Sequence, residues 1–252
     1  MDRMLYVALS GANETAIAQS NVSNNLANAS TPGFLADLNY FRSVPIDGEG
    51  DKTRVNAVDH GNAVDFKPGT KMTTGRDLDI ALQGDGWFVV QAPDGSEAYT
   101  RRGDLQIDPN GFVTTSNGLP MMGAGGPIVI PPAEKVSIGS DGTISIIPIG
   151  AGPNETAEID RIMMVAPEYA QMEKGEDGLM RMKADENGDR PLAPPDPNQR
   201  LQQGMLEGSN VNTVNEMVDM IELQRKFEMQ IKMMKTAKEM ADSSASMMRF
   251  GA

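Results

Sequence analysis

Along the first thirty residues, Met1, Leu5, Ala8, Ala12, Thr15, Gln19, Val22 and Leu26 recur in alternating steps of four and three. That is the period of a helix burying one seam. The seam is weak, with small and polar residues where a self-sufficient coiled coil has Leu or Ile. Between Ala8 and Thr31 only Glu14 is charged, and five Asn dilute the helix propensity. Such a helix is marginal alone, so it is expected to become ordered against partners, with Asn24, Asn25 and Asn28 bonding between chains. Pro32 drives Thr31 out of the helical region. Pro32-Gly33 then supplies a type II turn, and Phe34 anchors the exit.

A second, stronger helical pattern closes the chain. Met220, Leu223, Phe227, Gln230, Met234, Ala237, Ala241, Ser244 and Met248 again alternate in threes and fours. Ser209, Asn210 and Asn212 are N-cap candidates, and Glu216 and Asp219 suit the positive helix N-terminus. Glu222 with Lys226, and Glu228 with Lys232, are expected to form i,i+4 pairs. Two seams bracketing the rest of the chain predict termini that return to one place and pair antiparallel.

Residues 36–75 read as an irregular linker, with turns at "IDGEG" and "KPGT". From residue 76 the period changes to that of strands. "WFVVQ-APDGSE-AYTRR", "LQID-PNG-FVTT" and "VSIG-SDG-TISII" are hairpins in outline. "IDRIMMVA" and "GLMRMKA" are further strands, and "PLAPPDPN" is a loop. The predicted fold is α+β: N- and C-terminal helices pairing as an antiparallel coiled-coil domain, with an antiparallel β-rich domain inserted between them. Its segments are 1–35 (helix), 36–75 (linker), 76–205 (β-rich domain) and 206–252 (helix).

Charge sharpens this division. The 252 residues carry a net charge of −13, but residues 1–40 hold three acids and one base and residues 210–252 six of each. The acidity lies in the middle, so the near-neutral ends are the packed part. So acidic a chain lacks the cationic footprint of a nucleic-acid binder or a polybasic membrane-surface protein. With no cysteine, thiolate catalysis and Cys-based metal sites are excluded. The N-terminus lacks the pattern of a cleaved secretory leader, and no apolar run reaches the roughly 18 residues of a membrane-spanning helix.

Chemistry is hard to find. His60 is the one histidine and is expected in a solvated loop. "GDGWFV" has Val89 where a third dinucleotide-binding glycine would stand, and it enters a strand. "GAGGPI" lacks the Lys-Ser/Thr of a phosphate loop. "KADENGDRPLAP" puts Lys183 and Pro194 at the first and last positions of a calcium loop, where neither ligates through a carboxylate. Asp77 and Asp79 could share a face as an acid/base pair but are expected on a solvated strand edge. Met163, Met164, Met233 and Met234 read as adaptable core filler. No catalytic, metal or cofactor-binding residue is assigned, and no cofactor or small-molecule substrate is expected. The competing reading is a periplasmic glycan hydrolase with two carboxylates about 5–9.5 Å apart, and a third is a β-domain binding module with incidental helices.

"NNLANASTPGF" (Asn24 to Phe34) resembles the N-terminal signature of the bacterial flagellar rod and hook family. "LEGSNVNTVNEMVDMIELQRKFEMQIKMM" (Leu206 to Met234) resembles its C-terminal counterpart. "RDLDIALQGDGWFVVQAPDGSEAYTRRGDLQIDPNGFVTTSNGLPMMG" (Arg76 to Gly123) is similar to its shared β-domain motif. Length, "MDRMLYVALSGA" and "FRSVPIDG" favour a proximal-rod member over a distal-rod or hook-type one. The resemblance implies a structural subunit of the periplasmic drive shaft, exported through the flagellar type III apparatus without signal cleavage. Its partners would be copies of itself, other proximal- and distal-rod proteins, and that apparatus. "FLADL" resembles an export docking pattern through Phe34 and Leu38. The expected assembly interface comprises Leu5, Ala8, Ala12, Val22, Asn24, Asn25, Leu26 and Asn28 on the first helix and Thr31, Pro32, Gly33 and Phe34 in the turn. It continues through Ser209, Asn210 and Val211 to Met220, Leu223, Phe227 and Met234. Gly33→Val is expected to block assembly while leaving the β core folded.

Overall fold

The computed structural model describes residues 3–45, 55–150, 155–186 and 188–249. The chain divides into two compact units, one of Met1–Ala29, Ala36–Asp65 and Val211–Ala252, the other of Ser30–Leu35 and Phe66–Asn210.

The first unit contains helix α1 (Arg3–Ala27), strands β1 (Asp37–Pro45) and β2 (Val55–Val64), and helix α2 (Thr213–Arg249). β1 and β2 form an antiparallel hairpin from Asp37↔Val64 to Pro45↔Val55, with a bulge between Asn39 and Phe41. The segment expected to be an irregular linker is therefore largely sheet. Its strands alternate poorly in polarity, which hid them from a period-2 reading. The backbone of His60 lies in β2 rather than in a loop, and the "IDGEG" turn lies outside the described residues.

On α1 the buried face is Ala8, Ala12, Thr15, Ala18, Val22 and Asn25. Met1 lies outside the described residues; from Leu5 to Thr15 and at Val22 the expected seam holds, but Ala18 and Asn25 replace Gln19 and Leu26. The stripe swings aside because α1 packs against the hairpin as well as α2. Two covering surfaces widen and rotate the face that one partner would select. On α2 the inward residues are Glu216, Met220, Leu223, Phe227, Gln230, Met234 and Ala237, in the expected register. Beyond Ala237 the seam residues Ala241 and Ser244 are exposed. Asn212 is the N-cap, its Oδ1 accepting from the amides of Val214 (3.1 Å) and Asn215 (3.2 Å). Among the described residues neither Glu222–Lys226 nor Glu228–Lys232 closes into an ion pair.

The second unit is β-rich. Its largest sheet orders Met164–Val165, Trp87–Gln91, Glu97–Thr100, Met180–Met182 and Met172–Lys174 side by side, all antiparallel. Ala133–Ile138, Thr143–Pro148 and Ala157–Arg161 form a three-stranded sheet, and Leu105–Ile107 pairs with Val113–Thr115. The three expected hairpins are all present. Ile144 and Ile146 alternate inward on their strand, whereas Trp87 to Val90 are buried on both faces. Phe88, Val90, Leu105, Met121, Ile128, Ile144, Ile146 and Ile162 share one core. Where the chain arrives and leaves, Lys71–Thr73 pairs with Met205–Glu207 and Ile80–Leu82 with Leu201–Gln203. These pairings extend the β-rich unit beyond the expected 76–205, back to Phe66 and on to Asn210.

Candidate assembly surface

The asparagines of α1 form a polar clasp within their own unit. Asn25, 2% exposed, donates through Nδ2 to Asp37 O (3.0 Å) and Glu216 Oε1 (3.2 Å). Its Oδ1 accepts from the Asp37 amide (2.8 Å). Asn24 Nδ2 donates to the Asp37 carboxylate (3.0 Å), and Asn28 Nδ2 to Asn24 O and Oδ1 (both 2.9 Å). Asn24 and Asn25, expected to bond between chains, thus bond to Asp37 of the hairpin in their own unit, and Asn28 bonds to Asn24 one turn back. Asn21 completes the set by bonding to Asn39. Ala8, Ala12 and Val22 are likewise buried inside this unit. Leu5, Leu26, Met220, Leu223, Phe227 and Met234 are half-buried, and Asn24 is exposed.

The unit's outward surface is unusually apolar. Tyr6 and Leu9 on α1, and Val214, Met217, Val218, Ile221, Met229, Ile231, Met233 and Met240 on α2, are each more than two-fifths exposed. Met233 is therefore surface rather than core filler. A groove of about 260 Å³ runs between α1, β1 and α2, lined by Val22, Leu38, Phe41, Glu216, Leu223 and Lys226 among others. Exposed apolar area on this scale marks a contact surface.

Burial raises the Glu216 carboxyl above the ordinary glutamate value, opposed by the Asn25 hydrogen bond and assisted by Asp219. A carboxyl raised by folding holds its proton where the unfolded chain has lost it. Its contribution to stability is full below the unfolded value and is lost as pH rises through the folded one. Glu216→Gln keeps an acceptor for Asn25 and removes the titration. The variant is expected to melt above the parent at about pH 7.5, the gap closing toward about pH 4. Thermal melts at both pH values check this, and no gain at the higher pH would contradict it.

The turn belongs to the β-rich unit. Phe34 N donates to Thr31 O (3.3 Å), and Gly33 has φ +67°, as a type II turn requires. Gly33 N donates to Glu207 O (2.8 Å), while Lys174 Nζ lies 4.4 Å from the Phe34 ring centroid. Beneath it is a junction that sequence reasoning missed. Arg101 Nη1 bonds both Glu207 oxygens (3.0 and 3.1 Å), with each side chain 1% exposed. Arg101 Nη2 donates to Gly84 O (3.0 Å), Gly69 N to Glu207 Oε1 (3.2 Å), and the guanidinium lies 5.3 Å from the Trp87 ring centroid. Glu207 stands beside the "GSN" of the C-terminal signature, but nothing local shows that an acid there is buried. Asn210 Nδ2 donates to Lys67 O (2.9 Å), which ties the end of this unit to its start. Ser209 and Val211 are half-buried, as is Pro32.

Asp79, expected on a solvated edge, is 2% exposed with Oδ1 3.4 Å from Arg76 Nε. Asp77 is exposed, so the two do not face a common cleft. Among the described residues no helix is long and apolar enough to cross a membrane.

A clasped helix pair with an apolar exterior is the build of a protein that assembles with others, and in the β-rich unit the buried Arg101 and Glu207 are spent on each other. Three family models match the chain. "Flagella basal body rod protein" covers residues 5–34, "Flagellar hook protein FlgE/F/G D1 domain" 81–146, and "Flagellar basal body rod FlgEFG protein C-terminal" 202–247. The flagellar basal-body rod protein FlgF of Salmonella typhimurium is 43% identical over 95% of each chain, and that of Escherichia coli K12 42% over 96% of each. FlgG of Buchnera aphidicola from Schizaphis graminum is 32% identical over 94% of this chain and 96% of the relative. The chain belongs to the flagellar basal-body rod protein family, and it is a structural component rather than an enzyme.

Proposed function

We propose that the chain is a proximal-rod subunit that polymerises through its terminal helices into part of the periplasmic drive shaft. The observation that carries this is the apolar exterior of α1 and α2, in a chain whose FlgF-named relatives match it end to end. The helical segments of the first unit, within 1–29 and 211–252, supply the inner layer, with α1 and α2 as an antiparallel coiled coil. Supporting that direction, Asn25 meets Glu216, whereas a side chain at Gly11 would meet Gln230.

Neighbouring rod subunits, copies of this chain and its proximal- and distal-rod relatives, cover Tyr6, Leu9 and the outer face of α2. They also cover the half-buried Leu5, Leu26, Asn28, Met220, Leu223, Phe227 and Met234. Ala8, Ala12, Val22 and Asn25 shape that surface from beneath. The turn at Thr31 to Phe34 and the Ser209 to Val211 segment set where the chain leaves and rejoins the inner layer. Export through the type III apparatus, without leader cleavage, uses Phe34 and Leu38 as docking side chains; Leu38 is 37% exposed.

Quantitative mass spectrometry of detergent-washed basal bodies tests the assignment. The chain is expected there at few copies, below the distal-rod protein, with its N-terminal peptide intact. Absence from the rod overturns it.

A further inference from the structure

The charges of α2 are sorted along its length. Residues 213–224 carry three acids and no base, and residues 225–238 five bases and one acid. The acids Glu216, Asp219 and Glu222 are spaced three apart, and so are Lys232, Lys235 and Lys238. Each acid lies the same sixteen residues before its lysine. In an α-helix that offset is about 24 Å along the axis and roughly 160° around it. The two triplets therefore occupy opposite flanks of one rod. All but the half-buried Glu216 are exposed, and among the described residues Asp219, Glu222 and the three lysines make no ion pair.

We propose that neighbouring copies of this chain pack their α2 helices in parallel with a sixteen-residue stagger. The Glu216–Asp219–Glu222 flank of one copy then lies against the Lys232–Lys235–Lys238 flank of the next. It rests on the reading of the chain as a rod subunit and adds the register of the contact. A partner of the same sequence is indicated because both triplets and their common spacing belong to one helix. Opposite flanks make the contact heterologous, which is what an open helical polymer requires. Zero stagger would set the carboxylates against Met217 and Ile221, covering charge with nothing to pair it. Exposed ion pairs contribute little affinity each. The apolar surface holds the helices together, and the charges choose the register.

The chain contains no cysteine, so introduced ones report contacts cleanly. Full-length D219C/K235C is expressed in flagellated cells, oxidised, and basal bodies are run on non-reducing gels. The two positions are about 24 Å apart on one helix and cannot bridge internally. Loss of the monomer band into disulfide-linked multimers of this chain is the expected result. A chain that is incorporated but stays monomeric overturns the stagger. So does stronger linkage in D219C/I221C, which reports zero stagger, or linkage to a different rod protein. Should the cysteine chain fail to reach the rod, the charge swap decides. D219K/E222K loses incorporation, and adding K235E/K238E restores it; no restoration overturns the proposal. Absence of the unsubstituted chain from basal bodies would instead fault its assignment as a rod subunit.

Discussion

Glu207→Ala is expected to destabilise the β-rich unit by about 3–5 kcal/mol, the typical cost of removing one partner from a buried ion pair. Arg101 would keep its charge at 2% exposure with only Gly84 O to bond. The Gly69 amide would lose its acceptor as well. Chemical denaturation of the purified chain, followed by the fluorescence of its single Trp, measures the loss. Trp87 packs against Arg101 and reports the junction directly. Arg101→Met/Glu207→Leu should cost clearly less than the two single changes summed, because no unpaired charge remains. Additive costs would show that the pair is not coupled. Because Glu207 O also receives the Gly33 amide, the junction holds the turn that follows the first family signature.

Gly33→Val is the second large effect, and here the structure changes the expectation. The left-handed backbone costs a non-glycine residue about 1–2 kcal/mol, and a β-branched one is a genuine outlier there. Space is the harsher limit, since a Cβ on Gly33 would sit 2.5 Å from both Arg101 C and Arg102 N. Those are backbone atoms that cannot swing aside. The variant should therefore lower the melting temperature of the β-rich unit as well as block incorporation, rather than leave that core intact. A purified Gly33→Val chain melting with the parent would restore the simpler picture of a free hinge. Gly33→Ala meets the same backbone and should fail in the same direction.

Helices announce themselves in this sequence because their signal is local. The α2 seam from Met220 to Ala237, the Asn212 cap and the Pro32-Gly33 turn each depend on residues within a few positions. The hairpins around Gly95, Gly111 and Gly142 were legible for the same reason, each glycine taking the positive φ its turn needs. The hairpin of β1 and β2 was not, since β1 loses its alternation at the bulge between Asn39 and Phe41 and β2 alternates poorly. The asparagines show the limit most clearly. Their type and position pointed to hydrogen bonding, but whether they served a neighbour or their own chain depended on where β1 and Glu216 lay.

Sequence alone determined the two terminal helices, the β-rich middle between them and the family signatures, since periodicity, turn chemistry and motif content are carried by neighbouring residues. Only the tertiary structure decided that Asp79 and Glu207 are buried, that Asn25 is spent internally, and that Gly33 touches the backbone at Arg101. Each of these joins residues remote in sequence, and burial or satisfaction of a polar group is a property of what surrounds it in space.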